Sequence, residues 1–225
     1  VAFGLVGHPG APYFSFSDYE NYAAEARTLR SLAAWGFSRA AFETPVGTFL
    51  LQVWPVTTNY FNTPGTTPAR GRLFSADDNK AGAPLVAIIS DAIWQTHFGR
   101  SPAAIGARVT INDRPATVIG VGPPLFAGPL SGEWTDVWVP LHSYDSTATG
   151  GGIVSEVEDE AIVMIGRLGP GSSIAEVRAE FNTLRARLDV TAPRDRGGPT
   201  ERNCPPSCQR APVLVTAYAA SSGGV

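Results

Sequence analysis

The order of apolar and polar positions along the chain predicts short strands separated by a few helices. The densest part of this pattern runs from Pro84 to Pro124. Within it, the apolar run Leu85–Ile89 is rich in β-branched residues, which is typical of a strand buried on both faces. Ser90 is a suitable N-cap residue, and Gly99 provides the left-handed conformation on which helices commonly end. The pattern therefore predicts a strand followed by a short helix.

A β-hairpin is predicted directly after this helix. Arg108–Ile111 and Ala116–Val121 are β-prone runs, and the residues between them, Asn112 to Pro115, are typical of a turn. Six further stretches have the composition of strands. They are Val1–Val6, Ala40–Glu43, Thr48–Val53, Trp134–Leu141, Ala161–Leu168 and Val213–Tyr218.

Two overlapping capping boxes predict a helix near the N-terminus. They pair Ser15 with Asp18 and Ser17 with Glu20. The predicted helix ends at Gly36, and four of its residues share one face: Tyr22, Ala26, Leu29 and Ala33.

The clearest helix follows a third capping box, in which Ser173 is paired with Glu176. Its apolar residues recur at spacings of three and four and form one stripe. They are Ile174, Val177, Phe181, Leu184 and Leu188. Strand–helix–strand patterns thus occur at both ends of the chain.

A discontinuous α+β domain with an insertion accounts for this arrangement. Residues 1–73 and 155–225 are assigned to the split strand–helix–strand subdomain. Residues 74–145 are assigned to an inserted β-rich subdomain. The glycine-rich stretch 146–154 is interpreted as a linker.

Composition is that of a globular chain without an electrostatic footprint for nucleic acid. The 225 residues carry a net charge of −3, and 44% of them are hydrophobic. No apolar run approaches the ~20 residues that span a bilayer. The chain starts at Val1 without a methionine and ends in a glycine-rich stretch, so we expect it to be part of a longer protein.

Candidate catalytic residues are few. Ser90, Asp91 and His97 are hydrolase residue types, but no nucleophile-elbow glycines surround Ser90, and a helix cap explains it more simply. Gly120-Val121-Gly122 follows a strand, yet the prolines after it stand where a phosphate-binding helix would begin. We therefore predict no catalytic and no cofactor-binding residues.

Candidate metal ligands are equally weak, and no metal site is predicted. The acidic run from Glu156 to Glu160 is typical of a solvated linker edge. Cys204 and Cys208 are open to three interpretations: unrelated thiols, a local disulfide in an oxidising compartment, or, with least support, zinc ligands. The tryptophans are expected in the core. They are Trp35, Trp54, Trp94, Trp134 and Trp138.

Five motifs occur in order between Ser15 and Leu188. They cover Ser15–Tyr19, Val56–Phe61 together with Gly71–Asp78, Pro84–Gly99, Ile105–Pro123 and Gly166–Ser173. Their order and spacing resemble the MacB-like periplasmic core domains of ABC transporter permeases. The sequence departs from the family pattern at Pro64, Asp113 and Leu125, and the loop that carries Cys204 and Cys208 has no counterpart in it.

The resemblance implies a fold, a location and partners. The fold is a porter-like α+β subdomain split by an inserted β-rich subdomain. The location is the periplasmic side of the bacterial inner membrane, between two transmembrane helices of a permease that a cytoplasmic ATPase drives. A periplasmic adaptor protein and a homodimer of the full transporter are further candidate partners, and no cofactor or enzymatic activity is implied. The oxidising periplasm favours a disulfide between Cys204 and Cys208.

Two other classes of function stay open at this point. One is an extracellular ligand-binding module without transport, and the other is a hydrolase that uses Ser90, Asp91 or His97. The split domain also predicts where the chain ends lie. A domain held between two membrane helices needs both ends on one side, so we expect Val1 and Val225 to emerge together.

Overall fold

The computed structural model describes residues 2–6, 14, 16–44, 46–80, 82–124, 126, 134–141, 162–191 and 214–218. Its helices are α1 (Phe16–Glu25), α2 (Asp91–Phe98) and α3 (Ile174–Thr191). Its strands are β1 (Ala2–Val6), β2 (Leu29–Gly36), β3 (Arg39–Thr44), β4 (Gly47–Val56), β5 (Arg70–Gly71), β6 (Val86–Ile89), β7 (Arg108–Ile111), β8 (Arg114–Val121), β9 (Val137–Pro140), β10 (Ile162–Leu168) and β11 (Leu214–Tyr218).

The chain divides into two compact units. The first combines Val1–Ala34 with Val154–Val225, and the second is the continuous segment Trp35–Ile153. In the described residues, three helices stand singly among strands that pair mostly antiparallel, so the predicted α+β class is confirmed.

Strands from both ends of the chain form the sheet of the first unit, in the order β11–β1–β10–β2. Strand β1 is antiparallel to both of its neighbours. Helices α1 and α3 belong to the same unit, and the stacked rings of Tyr22 and Phe181 join them at a centroid distance of 4.5 Å. Both rings are buried, as is Val177 one turn before Phe181, so the predicted apolar stripe of α3 is confirmed.

Glu180 links α3 to the turn between α1 and β2. Its carboxylate accepts hydrogen bonds from the backbone N–H groups of Arg27 at 2.7 Å and Thr28 at 3.0 Å, and from the Thr28 hydroxyl. Burial opposes the charged form, but these hydrogen bonds outweigh it and hold the pKa of Glu180 below its usual value. This contact therefore fixes the point at which the chain enters β2.

One predicted helix is wrong. The sequence extends it to Gly36, whereas α1 ends at Glu25 and Leu29–Gly36 is strand β2. The predicted helical face from Tyr22 to Ala33 therefore does not exist as a single face. Every residue from Leu32 to Gly36 is buried, and a strand covered on both faces tolerates the small alanines that would otherwise favour a helix.

The second unit contains a closed six-stranded β-barrel. Its strands follow the order β4–β3–β7–β8–β6–β9, and β9 pairs in turn with β4. The β4–β9 and β6–β8 pairs are parallel and the other four are antiparallel. Closure gives most of the barrel no exposed strand edge.

The predicted division of the chain at residue 73 needs correction, because β3 and β4 are barrel strands. Phe42 of β3 pairs with Ile111 of β7, and Trp54 of β4 pairs with Trp138 of β9. The segment 35–73 therefore belongs with the inserted unit. These partners lie far apart in sequence, so local periodicity gives no signal for the pairing.

The predicted hairpin is confirmed, with a tighter turn than expected. Strands β7 and β8 are joined by Asn112 and Asp113 alone, and both residues have positive φ, at 46° and 62°. This geometry is that of a type I′ turn, in which glycine is preferred at the second position. Asp113 therefore carries a backbone strain that glycine would lack.

Replacing Asp113 by glycine should stabilise the barrel by about 0.5–1 kcal/mol, because glycine adopts positive φ without a steric penalty. Chemical denaturation followed by tryptophan fluorescence measures this change. Asp77→Gly, at an exposed site without positive φ, is the matched control and should not stabilise. An Asp113→Gly variant less stable than the parent would contradict the strain argument.

Replacing Phe181 by alanine should destabilise the first unit by about 3–5 kcal/mol, since it removes a fully buried ring together with its stacking contact on Tyr22. Denaturant melts followed by circular dichroism measure the loss. Ala186→Ser, on the exposed side of α3, should change stability by about 0.5 kcal/mol or less. Equal losses for both variants would show that Phe181 does not anchor the helix.

Candidate functional site

The three hydrolase residue types have separate structural roles. The Ser90 hydroxyl oxygen accepts a hydrogen bond from the Ile93 backbone N–H at 3.2 Å and so caps α2, as predicted. Both carboxylate oxygens of Asp91 are held by the Arg100 guanidinium, at 2.9 and 2.7 Å. Each side chain is thus committed to a partner that stabilises the fold.

His97 lies at the C-terminal end of α2 and packs edge-on against Phe49, with ring centroids 4.2 Å apart. Its ring is half-buried between the helix and β4. None of the hydrogen bonds made by Ser90 or Asp91 reaches His97. The described contacts therefore do not assemble a Ser–His–Asp arrangement.

The two glycines of the Gly120-Val121-Gly122 segment allow a close approach of strands. A Cβ atom at Gly120 would stand 2.4 Å from the carbonyl oxygen of Arg72, and one at Gly122 would stand 3.0 Å from the Trp138 ring. Such contacts require glycine for packing reasons alone. They account for the segment without a bound nucleotide.

The segment Gly71–Asp78, one of the quoted motifs, forms the most highly organised polar contact among the described residues. We call its members Arg72, Ser75 and Asp78 the Arg72 clasp. The Arg72 guanidinium donates to both carboxylate oxygens of Asp78, at 2.6 and 2.8 Å. The backbone N–H and the hydroxyl of Ser75 donate to the same carboxylate, at 2.7 and 2.8 Å.

Gly71 allows the Arg72 clasp to lie against the barrel. Its φ is 69°, and a Cβ atom there would stand 2.2 Å from the carbonyl oxygen of Ile119. The next residue, Arg72, donates its backbone N–H to that same oxygen at 3.0 Å. Side chains larger than hydrogen are therefore excluded at Gly71, and the clasp is fixed to β8.

The charge of Asp78 is strongly stabilised. The Arg72 hydrogen bonds are the main cause, burial opposes them, and the Ser75 bonds add to them, so the pKa of Asp78 falls to about 2. Its side chain is only 9% exposed, whereas that of Arg72 is 52% exposed. The Ser75-to-Asp78 spacing is that of a capping box, but the pairing of Asp78 with Arg72 has no such spacing signal in the sequence.

Aromatic residues fill the core of the second unit. Trp35 stacks on Trp54 at 6.2 Å, and Trp138 packs edge-on against Phe61 at 5.2 Å. Four of the five tryptophans are buried, as expected. Trp134 is the exception, with 78% of its surface exposed.

The described residues bear on the metal prediction but not on the disulfide prediction. No group of three or more acidic, histidine or cysteine side chains in that part could hold a metal ion. Cys204, Cys208 and the acidic run from Glu156 to Glu160 lie outside the described residues. The disulfide therefore stays a prediction.

A family model for the MacB-like periplasmic core domain matches residues 3–184. The chain belongs to this family. It is the extracytoplasmic domain of an ABC-type transporter permease, a class of protein that works with membrane helices and an ATPase. Among the described residues, no helix is long and apolar enough to cross a bilayer.

Solved structures share the fold at low sequence identity. The periplasmic region of MacB from Actinobacillus actinomycetemcomitans is 16% identical with a TM-score of 0.66, and the match covers 83% of each chain. The extracellular domain of the noncanonic ABC-type transporter YknZ from Gram-positive bacteria is 16% identical with a TM-score of 0.63, over 85% of this chain and 95% of that one.

A domain of a putative permease from Porphyromonas gingivalis is 12% identical with a TM-score of 0.54, over 96% of this chain and 85% of that one. A search of the curated proteins found no match. In this chain the Arg72 clasp directly follows β5, which pairs with β8.

Replacing Asp78 by asparagine should lower the stability at neutral pH and reduce the loss of stability in acid. The folded pKa of Asp78 is about 2 and its ordinary value is 3.8, so the contribution of Asp78 to stability is complete above about pH 5. It is lost as the pH falls through the folded pKa. Allowing for the exposed Arg72, this contribution is on the order of 1–2 kcal/mol.

Denaturant titrations of both proteins between pH 7 and pH 2 measure the difference. Asp77→Asn is the matched control, because Asp77 is exposed and pairs only with the exposed Lys80. Parallel stability curves for the parent and Asp78→Asn would show that the ion pair contributes nothing.

Proposed function

We propose that this domain transmits the ATP-driven motion of the permease's membrane helices to a substrate or to an adaptor protein outside the membrane. It performs no chemical step of its own in this scheme. The polar side chains that the sequence offers for chemistry, such as Ser90 and Asp91, are bound within the fold instead.

The observation that carries this proposal is the pairing of β1 with β11. The two strands are antiparallel neighbours, and Ala2 at the start of β1 stands opposite Tyr218 at the end of β11. The two ends of the folded unit therefore leave it side by side. Two membrane helices joined to these ends would act on one place in one sheet.

In this proposal the first unit moves as one rigid body, because continuous contacts connect its terminal strands to its helices. Strand β1 pairs with β10 along four residues from Ala2 to Leu5, and β10 continues through the turn after Leu168 into α3. Helix α3 in turn holds α1 through Phe181 and Tyr22. A displacement applied at β1 and β11 is thus passed directly to the packed helices.

The proposed partners follow from this scheme. The membrane helices and the ATPase supply the motion, and an adaptor protein or a transported substrate receives it. A homodimer of the full permease would present two such domains side by side.

Flexible linkers at both ends of the domain should uncouple it. In the full-length permease, about ten Gly/Ser residues are inserted before β1 and as many after β11. Such linkers should leave the fold intact, but a flexible linker cannot transmit a force. ATP hydrolysis should stay within about two-fold of the parent, because the ATPase itself is untouched. The export phenotype that depends on the ATPase should fall to that of an ATPase-inactive permease.

The matched control inserts the same linker at Gly82, an exposed glycine in the loop between Asn79 and β6. This insertion lies outside the proposed path and should preserve export. Full export with flexible linkers at both chain ends would overturn the proposal.

A further inference from the structure

Among the described residues of the second unit, the barrel leaves a short strand edge open on β4. Ala41 of β3 stands opposite Leu50 of β4. The backbone N–H and C=O of Ala41 are both bound to Asn112, at 2.8 and 2.9 Å, and so point toward β7. In an antiparallel pair, the N–H and C=O groups of two opposite residues point either toward each other or away from each other. Because those of Ala41 point toward β7, those of Leu50 point away from β3.

The same alternation applies to Thr48 and Gln52. At Gln52 this outer side is occupied, because Asp136 accepts from the Gln52 N–H at 2.9 Å and donates its own N–H to the Gln52 carbonyl at 3.1 Å. Strand β9 then pairs with β4 from Val53 onward. Within the described chain, no backbone partner reaches the outer side of Thr48 or Leu50.

This open edge carries exposed apolar side chains. Leu50 is 72% exposed and Val46, in the adjoining turn, is 64% exposed. A third exposed apolar residue, Trp134, comes two residues before Asp136, the residue that binds Gln52 at the end of this edge. Trp134 is 78% exposed. Natural proteins usually protect such edges with charges or prolines, and apolar exposure at an edge is typical of a pairing surface.

We propose that this edge pairs with the same edge of a second copy of the chain. In the antiparallel arrangement, Thr48 stands opposite Leu50 of the second copy, and Leu50 stands opposite Thr48 of the second copy. Both pairs exchange both of their hydrogen bonds. All N–H and C=O groups of the open edge are then satisfied on both copies.

The shape of the edge favours a second copy over a longer foreign strand. Asp136 closes the edge at Gln52, and the turn at Val46 ends it on the other side, so the edge is too short to hold a long strand. A register shifted in either direction loses one of the two pairs. In the proposed register each Leu50 also lies diagonal to Val46 and Leu50 of the second copy, so the exposed apolar groups cover one another.

Sedimentation equilibrium of the 225-residue chain, from about 10 µM to 1 mM, tests this proposal. The edge is short, so we expect a weak dimer with a dissociation constant on the order of 0.1–1 mM. Leu50→Lys places a charge on the edge and should raise that constant at least about ten-fold. Ala103→Lys, an exposed substitution in a different loop, should leave it within about two-fold.

Amide hydrogen exchange locates the contact independently of the variant. The Thr48 and Leu50 amides should exchange more slowly as the concentration rises, while the Gln52 amide, already bound to Asp136, should not change. A chain that stays monomeric at 1 mM would overturn the proposal and leave the edge to a segment of another protein. A dimer that is insensitive to Leu50→Lys, or that leaves Thr48 and Leu50 unprotected, would overturn it as well.

Discussion

The parallel pairing of β4 with β9 is the contact on which the second unit depends. It closes the barrel, and it does so through fully buried partners: Val53 with Val137 and Trp54 with Trp138. Val53 and Val137 lie on one face of this pairing and Trp54 and Trp138 on the other, and both faces are buried. On the tryptophan face, the Trp54 ring also stacks on Trp35. Because β9 is shorter than β4, closure is complete only at one end of β4. The open edge at Thr48 and Leu50 is a direct consequence of that difference in length.

Polar groups in this molecule mostly hold the backbone in place. The Arg72 clasp holds the segment that follows β5, the Glu180 carboxylate fixes the entry into β2, and Asp136 ends the exposed edge of β4. In each case a carboxylate satisfies backbone or guanidinium donors that would otherwise be exposed at a chain junction. The Asp78 carboxylate, which lies in one of the five motifs, thus has a structural role in this chain.

The sequence predicted those elements whose signals are local. The caps at Ser90 and Ser173, the left-handed Gly99 and the apolar stripe around Phe181 all depend on residues within a few positions. Prediction failed at Leu29–Gly36, where alanines that favour a helix in isolation are buried in a strand. It also failed at the division of the chain, because the partners of β3 and β4 are distant in sequence. The Arg72 clasp was also missed. The capping-box spacing of Ser75 and Asp78 was present in the sequence, but that spacing does not indicate that Arg72 pairs with Asp78.

The two units place different demands on the chain. The barrel is assembled from one continuous segment, whereas the sheet of the first unit needs β1 and β11 from opposite ends of the sequence. The entropy cost of bringing such ends together grows only with the logarithm of the intervening length, so a folded insertion adds little to it. A barrel inserted between Ala34 and Val154 therefore does not prevent the terminal strands from pairing. The pairing of Ala2 with Tyr218 brings the start of β1, which lies between β10 and β11, beside the end of β11, the last strand in the sheet order, so both ends of the described chain meet in one sheet.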